Sequence, residues 1–210
     1  MKGNGSDMRM KKVLAGGISV FALSFVVAGC GSDTTAEQAQ TTSAAAAPST
    51  TQQGRPHNDA DVMFAQHMIP HHQQAVEMSD IILGKPDIDP RVTDLADQIQ
   101  AAQGPEIDQM QSWLKQWGNP PMGDHEGMGD HGGMAGMVSD ADMTALRDAQ
   151  GVDAAKLFLT HMIAHHEGAI DMAQEEVNEG RFEDAVQMAR TIVITQEQEI
   201  KDMRQVLDSL

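Results

Sequence analysis

Residues 64–78 read FAQHMIPHHQQAVEM, and residues 158–172 read FLTHMIAHHEGAIDM. At a constant offset of 94, Phe64, His67, Met68, Ile69, His71, His72, Ala75 and Met78 each meet their own residue type again. Six of the nine histidines lie in these two copies. An HM-I-x-HH pattern that occurs twice in 210 residues marks an internal duplication. A second pair of segments repeats at an offset of 93, with Ile99, Gln103, Glu106, Ile107, Met110 and Leu114 answered by Ile192, Gln196, Glu199, Ile200, Met203 and Leu207. The repeating unit therefore contains two apolar-periodic segments, as a helical hairpin does. Two such hairpins make an all-α four-helix bundle.

Punctuation along the chain agrees. Asn58-Asp59 is an N-cap candidate for a helix running to Leu83, before Gly84-Lys85-Pro86. Asp89-Pro90 opens a second helix that reaches Trp117 and stops at Gly118-Asn119-Pro120-Pro121. Gly, Pro and Asp make 118–138 a loop, and Ser139 caps a short helix over 140–149, broken near Gly151. The last two long helices are expected over about 153–178 and 182–207, separated by Gly180. No stretch alternates with period two, so strands are not expected. The domain is thus 59–210, divided into a first hairpin over 59–117, the loop over 118–138, and a second hairpin over 139–210.

At about 100° per residue, with His67 as origin, His71 falls near 40°, Phe64 near 60°, Ala75 near 80° and His72 near 140°. The expectation is that His67, His71, His161 and His165 face the core and that His72 and His166 lie on its flank. Gln103, Glu106, Gln196 and Glu199 fall on the apolar faces of the second and fourth helices. Buried polar groups cost stability unless paired. Two readings remain open: a buried hydrogen-bond network in which each Glu accepts from a His, or a metal site. Histidines at i, i+4 on one helix face are a common chelating arrangement. Pro70 and Pro105 each remove an amide donor inside a helix, beside the His and Glu positions. The second copy has Ala164 and Gln198 there, so the half-sites differ.

Charge and composition narrow the function. The formal net charge is −17, with 14 Lys and Arg against 31 Asp and Glu. Lys2, Arg9, Lys11 and Lys12 precede a fifteen-residue apolar run over 13–27, too short to span a bilayer comfortably. The remaining acidic surface repels nucleic acid and attracts cations. Val27-Ala28-Gly29-Cys30 resembles the lipobox of bacterial lipoproteins, which implies a signal peptide over 1–29 and a lipidated Cys30. Cys30 is the single cysteine, so no disulfide forms within the chain. Residues 30–58, rich in Thr, Ser, Ala and Gln, are a flexible linker. The expected location is the cell envelope, tethered to the outer side of the cytoplasmic membrane or periplasmic.

Sixteen methionines are many for 210 residues. Met122, His125, Met128, His131, Met134 and Met137 alternate with glycine in the loop, where no core awaits them. Thioethers bind soft Cu(I) or Ag(I) without releasing a proton, and with imidazole they suit copper better than iron or magnesium. A ligand-free Gly/Met linker is the other reading of this loop. Bundle di-iron sites need about four carboxylates with Glu-x-x-His pairs, and the second and fourth helices have no such pair.

The HM-I-x-HH repeats at His67–His72 and His161–His166, with the Q-x-x-E-I-x-x-M segments at Gln103–Met110 and Gln196–Met203, resemble the bacterial domain-of-unknown-function family DUF305. The WLKQWG ending at Gly118 is similar to that family too, and the resemblance covers about 59–208. It implies a ferritin-like four-helix bundle, usually exported, with some members implicated in copper binding and tolerance. Carried over, the motif positions are His67, Met68, His71, His72, His161, Met162, His165 and His166, with Glu106 and Glu199 as partners. The leading expectation is a lipid-anchored copper-binding protein. A ferritin-like di-metal redox enzyme and a structural envelope protein with a buried His–Glu network remain alternatives. No Ser/His/Asp arrangement, phosphate loop or reactive thiol points to another catalytic class.

Overall fold

The computed structural model describes residues 56–119 and 134–210. Five helices account for nearly all of them: α1 (Asp59–Leu83), α2 (Pro90–Trp117), α3 (Asp140–Asp148), α4 (Gly151–Glu179) and α5 (Glu183–Leu207). No strand occurs among the described residues. Asn58 caps α1 through a reciprocal box with Asp61, Asp89 caps α2 ahead of Pro90 at its first position, and Ser139 caps α3. Pro70 and Pro105 lie inside unbroken helices. The break expected near Gly151 falls two residues earlier. Ala149 and Gln150 are extended, and Gly151, at φ +52°, already begins α4. A left-handed backbone angle is accessible to glycine without steric cost, so the chain reverses there.

The α1–α2 and α4–α5 hairpins pack through α1 against α4, and more lightly through α2 against α5, while α3 lies over α1 and α4. Their interior divides into two apolar clusters. One holds Met78, Ile82, Leu95, Ile99, Phe158, Met162 and Met203, with Met143 and Leu146 from α3. The other holds Phe64, Met68, Ile69, Met110, Trp113, Leu114, Phe182 and Ile192. Between them, in the order of all four long helices, fall buried polar residues: His71 and His72 on α1, Gln103 on α2, His165 and His166 on α4, and Gln196 on α5. The duplication thus places a polar layer across the middle of the bundle.

One end of the bundle is fastened by a carboxylate. Helix α5 has no side-chain cap of its own. Instead Asp61 of α1, fully buried, accepts from Arg181 N and Phe182 N at 2.9 Å each and from Asn58 N at 2.6 Å. Phe182 then packs edge-on against Trp113 and Trp117. Glu176, 2 % exposed, lies beside this carboxylate, and burial followed by the neighbouring Asp61 pushes its pKa up to about 8. Among the described residues no helix is long and apolar enough to cross a membrane.

Asp61→Ala leaves three backbone donors without an acceptor. The expected loss is about 2–4 kcal/mol of folding stability, read as a lower urea midpoint with an unchanged m-value; an unaltered midpoint contradicts the fastening role.

Candidate metal centre

The buried arc of α1 runs from Met78 through His71, Phe64, Ala75, Met68, Ser79 and His72 to Ile69. Its middle is Met68, about 100° around the helix from His67. His71 and His72 are both fully buried, as are His165 and His166, whereas His67 and His161 are only half-buried at the rim. The expected pairing of faces is thereby corrected: His72 and His166 belong to the interior, and His67 and His161 to the flank. The cause is that α1 and α4 each pack against two long neighbours, which widens their apolar arc beyond a single stripe and moves its centre.

The interior histidines form two arrangements. His71 and His165 meet across α1 and α4 with ring centroids 3.7 Å apart and planes inclined at 35°. His72 Nε2 bonds Glu106 Oε2 at 2.8 Å, and His166 Nε2 bonds Glu199 Oε2 at 2.6 Å. These two bonds join helix to helix within each hairpin and are pseudo-symmetric copies. The glutamates keep some solvent contact, at 20 % and 12 % side-chain exposure.

Acceptors define the tautomers. His71 Nε2 lies 3.1 Å from the Ala135 carbonyl, which can only accept, so this nitrogen carries the proton. In His72 and His166 it is likewise Nε2 that meets a carboxyl oxygen, of Glu106 and Glu199. The Nδ1 atoms of His71, His72 and His166 have no hydrogen-bond partner, and neither do both nitrogens of His165. Gln103 does not supply them, for both of its amide atoms are themselves unpaired. Burial, then the adjacent His72, pushes the His71 pKa down to about 3 against the opposing Ala135 carbonyl. Burial, then His71, pushes His165 well below its ordinary value. Both rings are neutral at pH 7, the form that has a lone pair to offer a cation.

A strap from the end of the long loop covers the His71–His165 pair. Gln74 brackets Val138, accepting from its N–H at 2.8 Å and donating to its carbonyl at 2.9 Å. Gly136, at φ +82°, crosses α4 at Gly168, where a Cβ would run into the Ala135 carbonyl and lie 2.8 Å from Gly136 Cα. Positions 74 and 168 are equivalent in the two repeats. One holds the strap with an amide and the other by lacking a side chain. Sequence reasoning missed this strap, although a mid-helix glycine standing opposite a glutamine in the other copy was a visible sign of close backbone approach.

The other expected ligands are distributed as follows. Met68 and Met162 are fully buried, on opposite sides of the polar layer. Met134 is half-buried at the start of the strap. Cys30, Met122, His125, Met128 and His131 lie outside the described residues, as does the signal segment. Among the described residues no three His, Cys, Asp or Glu side chains are already gathered as a metal site.

The model of the family "Domain of unknown function (DUF305)" matches residues 61–207. Similar solved structures include a DUF305 fragment from Deinococcus radiodurans, 34 % identical, with a TM-score of 0.67 and coverage of 74 % of this chain and 99 % of that one. A DUF305 protein of Streptomyces coelicolor, named as secreted, is 37 % identical, with a TM-score of 0.65 and coverage of 71 % and 91 %. CopM in its Cu(II)-bound form is 33 % identical, with a TM-score of 0.60 and coverage of 71 % and 96 %. Cu(I)-bound, Ag-bound and apo forms of CopM match as well. No curated protein matches the chain.

Two outcomes follow from the layer. Gly168→Ala drives a methyl into the strap and should lower stability by about 1–3 kcal/mol, with faster amide exchange at Val138 as the local sign. A melting curve and exchange rate equal to wild type would remove the strap from the account. Because the folded pKa of His71 lies below its unfolded value of 6.5, its contribution is complete above pH 6.5 and is lost as pH falls toward 3. Melting temperature should therefore drop between pH 6.5 and pH 3, and His71→Asn with His165→Asn should flatten that drop.

Proposed function

The chain belongs to the DUF305 family, and from that premise we propose that it is an extracytoplasmic copper-binding protein, anchored through a lipid on Cys30, that buffers copper outside the cytoplasmic membrane. The observation that carries the reading is the polar layer. Four imidazoles sit buried together, and five of their nitrogens have no hydrogen-bond partner. Free imidazole lone pairs, with thioethers nearby in sequence, suit copper in either oxidation state. The similarity to CopM, whose structures include Cu(I)-, Cu(II)- and Ag-bound forms, supports the same cation.

His71, His72, His165 and His166 are the proposed interior ligands. Glu106 and Glu199 orient His72 and His166 by holding Nε2–H, which leaves Nδ1 to face the ion. Loading the layer calls for a ring rotation of His165 or release of His71 from Ala135, since the donors are not gathered in advance. Met122, His125, Met128, His131 and Met134 are proposed as a second, loop-borne ligand set for soft Cu(I). Met68 and Met162, as neighbours of the layer, are available thioethers above and below it, and His161 stays at the rim. The location rests on the lipobox-like 27–30 segment and on the secreted relative.

A purely structural His–Glu network is favoured by the two short His–Glu bonds. It does not account for His165, whose nitrogens have no partner. Competition against a chromophoric chelator separates the two. The full chain should bind Cu(II) and Cu(I), and His71→Asn with His165→Asn should weaken the interior ion at least about tenfold, roughly 1.4 kcal/mol. Absence of binding under both reducing and oxidising conditions would refute the proposal.

A further inference from the structure

The two ends of the α1–α4 interface are related by the repeat, yet they differ in chemistry. At one end Met78, Ile81 and Ile82 of α1, and Lys85 just beyond it, face the start of α4. That end is filled by Met143 and Leu146 of α3, and Lys85 Nζ is tied to the carbonyls of Arg147 and Ala149 at 2.7 Å. At the other end the equivalent positions are Met172, Glu175, Glu176 and Glu179, and they line a small pocket with Met63 and His67 of α1. No helix equivalent to α3 lies over it among the described residues. Ile81 and Ile82 at the closed end are answered by Glu175 and Glu176 at the open one.

This pocket contains a donor set without a donor partner. Glu176 is 2 % exposed, and apart from the Asp61 carboxylate beside it neither of its oxygens has a hydrogen-bond partner. Its neighbour Asp61 is already an acceptor to three backbone N–H groups and has no proton to give. Two carboxylates side by side in a buried place require a proton or a cation between them and the solvent. The last turn of α4 has no basic residue, so its C-terminal partial charge adds to the negative potential at the mouth. Met63 and His67 are at i, i+4 on α1, and Met172 and Glu176 are at i, i+4 on α4, so each helix presents two donors to one groove.

We infer that this groove is a separate cation site, in which the His67 imidazole, the Met63 and Met172 thioethers and the Glu176 carboxylate bind a copper-class ion, with Glu175 and Glu179 drawing it in. The inference rests on the reading of the chain as a copper protein, but it assigns His67 to a surface-accessible site apart from the interior layer. Two thioethers and an imidazole accommodate Cu(I), and the carboxylate with the imidazole accommodates Cu(II). The half-buried His161 has Leu157, Ile81 and Ile82 at the corresponding places, so only one end of the bundle is equipped.

Ag(I) is the redox-inert probe, titrated into the full chain against a chromophoric competitor. Met63→Leu with Met172→Leu keeps the side-chain volumes and should lower the Ag(I) capacity by one ion per chain, whereas His71→Asn with His165→Asn should retain that ion. Glu176→Gln should weaken Cu(II) at this site about tenfold while preserving the helical circular dichroism. If the capacity of the Met63/Met172 variant and the affinity of Glu176→Gln both equal those of wild type, the carboxylate pair holds only a proton and the groove site is overturned, with the interior reading intact. If the wild-type chain binds neither Ag(I) nor copper, both readings fall together.

Discussion

Burying imidazole and carboxamide groups between two apolar clusters is the constraint on which the rest of this bundle depends. Four histidines and two glutamines occupy that layer. Such a layer is tolerable only where partners are found for the polar atoms. Glu106 and Glu199 answer for one nitrogen of His72 and of His166, and a backbone carbonyl answers for one of His71. The remaining nitrogens are unanswered, and burial holds the rings of His71 and His165 neutral. Stability and ligand capacity thus trade against each other in one place: every lone pair without a partner weakens the fold and is available to a cation.

The duplication sets this layer, and departures from the duplication make it usable. At positions 74 and 168 one copy has an amide that grips the strap and the other has no side chain, so that a loop can cross the helices over His71 and His165. Position 61 is a carboxylate in the first copy and Ala155 in the second, and it fastens the start of α5 at one end only. Helix α3 has no counterpart among the described residues and closes the opposite end. A symmetric ancestor with none of these changes would have two equal ends and an uncovered histidine pair.

Most of the fold was legible in the sequence because its signals are local. Asn58, Asp89-Pro90 and Ser139 stop or start helices through their own backbone chemistry, and the structure has helices beginning at the neighbouring residues. The inward placement of Gln103 and Gln196 was equally readable from helical period, since α2 and α5 have narrow apolar stripes. The histidines were harder. A helical angle calculation needs an origin, and His67 lies at the edge of the α1 arc, not at its centre. The width of that arc depends on α1 having both α2 and α4 as neighbours, which no single segment reports.

By itself, then, the sequence determined the helices, their pairing into repeated hairpins and the presence of histidine and glutamate at the level of a shared layer. Periodicity and capping are properties of a few adjacent residues, and they survive without knowledge of what lies opposite. Only the tertiary structure decided that the adjacent pair of each copy is buried while His67 and His161 stay at the rim, which nitrogen is committed, and that Asp61 and Glu176 from different copies meet. Those outcomes are contacts between residues some 30 to 120 positions apart, and they arise only when the helices have packed.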